Sequence, residues 1–381
     1  MCSDKNMDLT SLADDQIRNW PLSNLRELHI EMGKQCNVRC VMCYQPDFSP
    51  GTKAAEIVWK ERLLPAYEVA DTLTLSGGEP TILPGAKELL KLVLNRYTHL
   101  KLNTVTNGVL FRGLWDEAFL KHGYTLNVSL NAIDPDLYKT IVQFGRQDQV
   151  IENIRRMVRL RNETGSKLLL RISSVIIDQT IHEMPDFVQW AADNGLDEVL
   201  LYTDYLRGIR KYDAKAVQEF ISATYETADR NPSVRMLHLD DFDWHYARIH
   251  NIKPVRPRPI SQQDAAPCPI AFDTLFINPD GACKPCCKSW YLYGNLVKSS
   301  LPEVWNSNAA FKFRKRMLKL DFRDCLPACD LNAKPIHPHI AEARKAYWVF
   351  RREPKTAYKK ALRRFGLTSA QLDMPPEHHE Q

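Results

Sequence analysis

The sequence predicts an α/β fold: a partial barrel of six parallel strand–helix units, followed by a small cysteine-rich domain. Three observations carry that expectation. Short β-branched runs alternate with longer amphipathic segments from about residue 26 to residue 212. Nine of the ten cysteines fall into two groups, with only Cys2 apart. A proline-rich connector, 252–267, separates the alternating region from the second group.

The predicted strands are 25–32, 72–76, 100–107, 125–131, 167–177 and 197–205. Between them, segments such as 86–97 and 149–165 repeat apolar residues at helical spacing, and a further helix-like stretch covers 213–229. The organisation expected is therefore an N-terminal extension (1–24), a core (25–230) and a helical, proline-rich linker (231–267). A cysteine domain (268–332) and a basic helical tail (333–381) complete it. In sheets of this class, ligands sit at the carboxyl ends of the strands.

Hydrophobic residues make up 44% and charged residues 25%, the balance of a globular chain with real cores, and the net charge of +5 is mild. The first sixteen residues are polar, and no apolar run approaches the length of a membrane span. The expected compartment is the cytoplasm, where clustered thiols bind metal or do redox work more often than they bridge.

The first cysteine group reads CxxxCxxC, with Cys36, Cys40 and Cys43 directly after the first predicted strand. Three thiolates from one loop can reach three corners of an iron–sulfur cubane. The fourth iron then stays open, as in catalytic rather than structural metal sites. An open iron can chelate the amino and carboxylate groups of S-adenosylmethionine, and an electron from the cluster cleaves the sulfonium. Zinc is the competitor, but no Cys or His lies between Cys43 and His99 to complete a local site. One strand later comes Ser76-Gly77-Gly78-Glu79-Pro80. Its glycines allow close backbone approach to a ligand, and Glu79 or neighbouring carbonyls can accept from an ammonium group.

With these motifs, the chain resembles the radical S-adenosylmethionine (radical SAM) superfamily over most of its length. The resemblance extends to Thr106-Asn107-Gly108 and Ser129-Leu130-Asn131, which end the third and fourth strands. It implies reductive cleavage of S-adenosylmethionine to a 5′-deoxyadenosyl radical that abstracts a substrate hydrogen. It also nominates Gly77, Gly78, Glu79, Pro80, Asn107, Ser129 and Asn131 as cofactor-binding residues, with Arg171, and more weakly Arg146, for the cofactor carboxylate. Tyr44 is either an adenine contact or a core aromatic.

In the second group, Cys268 precedes a hairpin-like segment with a Pro-Asp-Gly turn (279–281), and Cys286, Cys287, Cys325 and Cys329 follow. The segment resembles the twitch/SPASM auxiliary domain through Gly281…Cys286, the Tyr-Gly-Asn-Leu at 293–296, the Leu-Pro-Glu-Val-Trp-Asn-Ser at 301–307 and the closing cysteine pair. The CxxC-x5-C run of a full SPASM domain is absent, which favours a single auxiliary [4Fe–4S] cluster. The resemblance assigns Cys268, Cys286, Cys325 and Cys329 as its ligands, although the closing pair is CxxxC where CxxC is expected. Cys283 and Cys287 are inert, or one replaces a ligand; in the sharper reading Cys287 donates a hydrogen atom to a substrate radical.

The function these features imply is that of an oxidoreductase that dehydrogenates a small molecule such as a sugar or aminocyclitol. The auxiliary cluster accepts the second electron, and a flavodoxin- or ferredoxin-type protein is the electron donor. Tyr202, Asp204, Tyr205 and Arg207, at the end of the sixth strand, are placed to meet substrate. The alternative enzyme is a maturase of ribosomally made peptides, although only about 25 residues precede the first strand, too few for a separate recognition domain. A nucleic-acid-modifying or RNA-binding protein is suggested by Tyr347, Trp348 and Tyr358 in the basic tail, and disfavoured by the mild charge. A plain electron carrier is disfavoured by the open three-cysteine site.

Overall fold

A computed structural model of the chain describes residues 9, 12–43, 45, 48, 51–203, 209–257 and 267–325. The six expected strands are all present: β1 (Glu27–Glu31), β3 (Thr72–Ser76), β4 (Lys101–Thr106), β5 (Gly123–Ser129), β7 (Leu169–Ile176) and β8 (Glu198–Thr203). Short elements join them: β2 (Arg39–Cys40), β6 (Val142–Gln143), β9 (Arg235–Leu237), β10 (Thr274–Ile277), β11 (Ala282–Lys284) and β12 (Gly294–Asn295). Ten strands form one sheet in the order β12-β11-β10-β1-β3-β4-β5-β7-β8-β9, parallel from β10 to β9 and antiparallel beyond β10. Among the described residues the sheet ends at β9 and β12, which do not pair with each other, so the barrel is partial.

Sequence alternation explains the layering. In β1 and β3 the residues Leu28, Ile30, Leu73 and Leu75 are buried, and Leu102, Leu126 and Ile172 continue that apolar face across the sheet. Helices cover it. Helix Pro84–Arg96 begins with proline at its first position and buries Ala86, Leu89, Leu90 and Val93 at helical spacing. Helix Gln147–Thr164 ends at Gly165, whose φ of 66° is the left-handed cap that glycine adopts without strain. Helix Ala214–Arg230 starts where the Asp213 carboxylate accepts from the Ala216 amide at 2.8 Å. Parallel strands covered on both faces read as continuous apolar runs. These alternate instead, because their other face is polar and lines the inside of the partial barrel.

Two boundaries differ from the sequence reading. The stretch 231–257, expected to be a helical, proline-rich linker, does hold a helix, Leu239–Ile249, which buries Leu239, Phe242 and Tyr246, but it also contributes β9 to the sheet. A three-residue strand carries too little periodicity to be seen in sequence. The connector also fails to separate two sheets: β10 pairs with β1 in parallel register, Glu27 opposite Thr274 and Ile30 opposite Ile277. Among the described residues, no helix is long and apolar enough to cross a membrane.

Candidate active site

The first cysteine loop leaves β1 and runs beside the end of β3. Met32 N–H donates to Ser76 O (2.9 Å), Gly78 N–H to Gly33 O (2.9 Å) and Glu79 N–H to Gln35 O (2.8 Å), so the two segments form an extra ladder. A Cβ on Gly77 would sit 2.5 Å from Gly33 O, and one on Gly78 would sit 2.1 Å from Gln35 O. The space these glycines leave is therefore taken by the cysteine loop itself.

Glu79 is completely buried. Its carboxylate accepts from Thr81 N (3.1 Å), Thr81 Oγ1 (2.6 Å), Thr106 Oγ1 (2.7 Å) and Asn107 N (2.7 Å). Burial pushes its pKa up, and those four donors oppose the rise. The carboxylate thus ties the end of β3 to the end of β4, and Pro80 opens the short turn it caps. Asn107 passes the restraint onward: its Nδ2 donates to Asn37 Oδ1 (2.7 Å) and lies 3.8 Å from the Cys36 sulfur.

The far side of the loop is braced by a two-stranded ribbon in which Cys40 of β2 faces Val142 of β6. Arg39 stacks over Phe48 and donates to Cys36 O (2.7 Å) and Val38 O (2.8 Å). Cys36, Cys40 and Cys43 emerge half-buried. Burial, then the neighbouring Cys43 and Cys36, pushes the Cys40 thiol up to about 12. Burial and neighbouring thiols raise the pKa of Cys36 and Cys40, a cost that a cation centre taking them as thiolates would remove. The Tyr138 hydroxyl, buried without a partner and within the electrostatic reach of Cys40, is a donor of the kind that cluster sulfurs accept.

Below this loop the inner face of the sheet carries Glu27, His29 and Glu31 of β1 beside Thr72, Thr74 and Ser76 of β3. His29 Nε2 and Ser76 Oγ are 2.6 Å apart, and the His29 ring tilts against Phe276 at 4.3 Å. Burial, helped by Lys284, lowers the His29 pKa to about 3. A base depressed on folding contributes stability that is complete above its unfolded pKa near 6.5 and is lost as pH falls towards 3. Between pH 6.5 and 5 the wild type should therefore lose roughly 2 kcal/mol more than His29→Asn, measured by anaerobic urea unfolding. Equal losses would show that the imidazole is already solvated. Further along, Asn127 on β5 is buried with both amide atoms unpartnered, and Ser129 ends the strand half-buried on the same face.

Other nominated residues are engaged elsewhere. Asn131 adopts a φ of 64° and turns back into the fold, its Nδ2 on Ser129 O and its own carbonyl accepting from Ser174 Oγ. Arg171 lies near the start of β7, not at its carboxyl end, and gives Nε and Nη2 to Glu198, a buried carboxylate that also holds Arg235. The carboxylate it answers is this internal one, which needs cations to be buried at all. Arg146 lines a separate surface cleft with Arg112 and Glu152. Tyr202 stands exposed at the end of β8, stacked on His238 at 6.2 Å. Tyr44, Asp204, Tyr205, Arg207 and Cys329 lie outside the described residues, as does the basic tail.

In the second group, the bridge between Ser289 and Cys325 brings the Cys286 loop against the segment ending at Cys325. Cys268, just ahead of helix Ile270–Asp273, completes the described set. Burial pushes the Tyr293 hydroxyl well up, the Arg314 guanidinium opposes the rise, and the charges of Cys268, Cys286 and Cys325 add to it. Cys283 is separate, fully buried in β11 with its thiol 3.5 Å from Gly281 O. Cys287 is exposed and interacts with Lys284, Lys288 and Glu27. Sequence reasoning passed over His29, Asn127 and Tyr138; the alternation of polar residues through β1 and β5 was the signal available for the first two.

Residues 30–191 match the Radical SAM superfamily, and residues 268–330 match SPASM, an iron–sulfur cluster-binding domain. Among curated relatives, GTP 3′,8-cyclase of Petrotoga mobilis is 29% identical over 177 residues, 44% of this chain and 53% of that one. The enzyme of the same name from Pseudomonas fluorescens is 26% identical over 238 residues, 59% and 69% of the two chains. The chain spans about half the length of the first of these relatives. Of solved structures, Streptococcus suis SuiB bound to S-adenosylmethionine superposes with a TM-score of 0.57 at 19% identity, covering 78% of this chain and 68% of that one. Native anSMEcpe with bound AdoMet does so at 0.55 and 15%, covering 87% and 99%. At such identities these two structures bear on the fold alone.

Proposed function

Because the chain belongs to the radical SAM superfamily and carries a SPASM-type domain, with S-adenosylmethionine, its [4Fe–4S] cluster and an auxiliary cluster as cofactors, we propose that it oxidises a polar substrate by two electrons. When bound, S-adenosylmethionine and its cluster supply a 5′-deoxyadenosyl radical that removes one hydrogen atom from the substrate. The auxiliary cluster would take up the remaining electron and a base the proton, so that the substrate would lose two hydrogens overall. Cys36, Cys40 and Cys43 hold the first cluster, while Cys268, Cys286, Cys325 and Cys329 hold the second. Backbone carbonyls beside Glu79 accept from the cofactor ammonium, since the Glu79 carboxylate already serves four internal donors. Ser129 lies at the cofactor's sugar or carboxylate. Tyr202 is assigned to the substrate side, and Asp204 and Arg207, which lie outside the described residues, are proposed for the same role from their position in the sequence after β8.

The observation that carries this reading is the meeting of the two parts on one polar face. Cys287, adjacent to Cys286, interacts with Glu27 of β1, and Lys284 acts on His29. β11 joins β1 through β10, and Lys284 lies over Phe276, which packs on His29, so the auxiliary segment borders the inner wall. A wall of hydroxyls, amides and carboxylates suits a sugar or aminocyclitol. Electrons arrive from a flavodoxin- or ferredoxin-type donor in the cytoplasm.

A second reading, peptide maturation, is favoured by the exposed thiol of Cys287, which could return a hydrogen atom; SuiB, which shares the fold, has been solved bound to precursor peptide SuiA. Maturation by cross-link or thioether would share the loss of two hydrogens and is told apart by its peptide substrate; mass spectrometry in deuterated buffer separates oxidation from epimerisation by hydrogen return. Oxidation gives a product lighter by two hydrogens, one deoxyadenosine per turnover and no dependence on Cys287. A product of unchanged hydrogen count that carries solvent deuterium, and is lost in Cys287→Ala, would replace oxidation with hydrogen return.

A further inference from the structure

Phe144 is the most exposed large apolar residue among the described ones, 80% open to solvent, the next, Ile249, being 53% exposed. Its φ is 62°, a left-handed value that a bulky side chain adopts only under strain. The turn is fixed all the same. Gly145 N–H donates to Val142 O at 2.9 Å, and a Cβ on Gly145 would meet Val142 Cγ1 at 2.7 Å and Tyr138 Cε1 at 2.8 Å. A ring held out in water gains nothing from burial, and backbone strain of this kind collects at functional sites.

Its position says what the ring can meet. Phe144 directly follows β6, whose Val142 and Gln143 pair with Cys40 and Arg39 of the cysteine loop, and Val41 N–H donates to Ile141 O at 2.9 Å. Paired strands lie about 5 Å apart and residues advance about 3.4 Å, so a protein seated on this turn stands roughly 10 Å from the Cys40 backbone. The loop's opposite side is taken by its ladder to Gly78 and Glu79 and is the side assigned to S-adenosylmethionine. The ribbon is the side left for an electron to enter.

Cations border the ring. Arg39, opposite Gln143, donates to the backbone carbonyls of Cys36 and Val38 and not to a carboxylate. Arg146, two residues beyond Phe144, and Arg112, across a cleft of about 430 Å³, make no ion pair among the described residues. Asp148 and Glu152 share that cleft, and its Arg156 is held by Asp116, which leaves three available cations to two carboxylates.

We propose that the Phe144 turn, with Arg39, Arg112 and Arg146 around it, is the docking site of the electron donor. The partner is an acidic flavodoxin-type protein, whose apolar flavin edge meets the ring and whose carboxylates meet the arginines. The step is one electron from the anionic flavin hydroquinone, left as the neutral semiquinone, to the oxidised first cluster. The inference rests on the reading of Cys36, Cys40 and Cys43 as ligands of that cluster.

The test measures 5′-deoxyadenosine formed from S-adenosylmethionine by holoenzyme, reduced either by dithionite or by flavodoxin with its NADPH-dependent reductase. Asparagine accepts a left-handed φ, so Phe144→Asn keeps the turn while removing the ring, and Phe144→Trp keeps a ring. In Phe144→Asn, kcat/KM for flavodoxin should fall roughly tenfold or more, as for a buried aromatic anchor, with the dithionite rate within about twofold of wild type. Phe144→Trp should stay near wild type with both reductants. The flavodoxin-driven rate should also fall as salt rises. An unchanged kcat/KM in Phe144→Asn overturns the proposal, as does an equal loss with dithionite, because the turn would then only be supporting the loop. Flavodoxin that fails to drive a wild type that dithionite drives, or a flavodoxin-driven rate indifferent to salt, overturns the choice of partner. No deoxyadenosine from wild type with either reductant would instead remove the cluster assignment beneath it.

Discussion

Replacing Cys36, Cys40 and Cys43 together by alanine is expected to abolish formation of 5′-deoxyadenosine from S-adenosylmethionine. Iron should fall from about eight to about four per chain, one cubane's worth. The reason is local. These thiols come from a single loop held by the ladder to Gly33 and Gln35, by the ribbon to Val142 and by the Asn107 amide. Among the described residues, the other cysteines, Cys268, Cys283, Cys286, Cys287 and Cys325, all lie in the second segment, and the auxiliary cluster there should still load. The readouts are iron and sulfide analysis of anaerobically reconstituted protein and chromatography of the reduced reaction. Zinc in place of iron in the wild type, or deoxyadenosine from the triple variant, would end the assignment of this loop.

Gly78→Ala should have nearly as large an effect without touching a ligand. The new Cβ would stand 2.1 Å from Gln35 O and 2.6 Å from Lys34 O. Both are backbone atoms, so no rotamer change relieves the clash. The segment must separate from the cysteine loop, breaking the bond from Glu79 N–H to Gln35 O and pulling the Glu79 carboxylate from donors on β4. Each buried donor left unsatisfied costs about 1–3 kcal/mol. We expect iron to fall towards half, with deoxyadenosine formation reduced at least a hundredfold. Gly165→Ala is the comparison: its φ is 66° and a Cβ there meets nothing within 4 Å. It should cost about 1–2 kcal/mol of strain and leave both clusters in place. Full iron and activity in Gly78→Ala would mean that the two segments are not in register in solution.

Much of this was legible from residue order alone. The strands announced themselves through β-branched alternation, and the cysteine spacing marked the loop after β1. What stayed hidden depended on partners distant in sequence. Glu79 reads as a ligand because it follows two glycines; that its oxygens belong to Thr106 and Asn107 is decided by the neighbouring strand. The β2–β6 ribbon is two residues long on each side and leaves no periodic trace. Arg314 sits in a helix rich in lysine and arginine, where a charged residue is expected to face water; only the packing of Trp305 and Tyr293 over it takes it inside. Arg171, in turn, was nominated by its place on a strand, and the chain had already supplied Glu198 opposite it.

The parallel pairing of β1 with β10 also bears on how the chain is made. Residues 27–30 leave the ribosome well ahead of residues 274–277, one of their two sheet neighbours. At about 5–20 residues per second, that neighbour follows on the order of tens of seconds later. Through that interval β1 presents an unpaired edge, a template for wrong strand pairing, while the cysteine loop that follows it is already outside. Contacts this distant in sequence also slow folding, because the closure of a long loop must precede its reward. The nascent protein therefore passes through a stage in which its metal-binding loop exists before the sheet that carries it is complete, and that stage is when it is most exposed to aggregation and to the wrong metal.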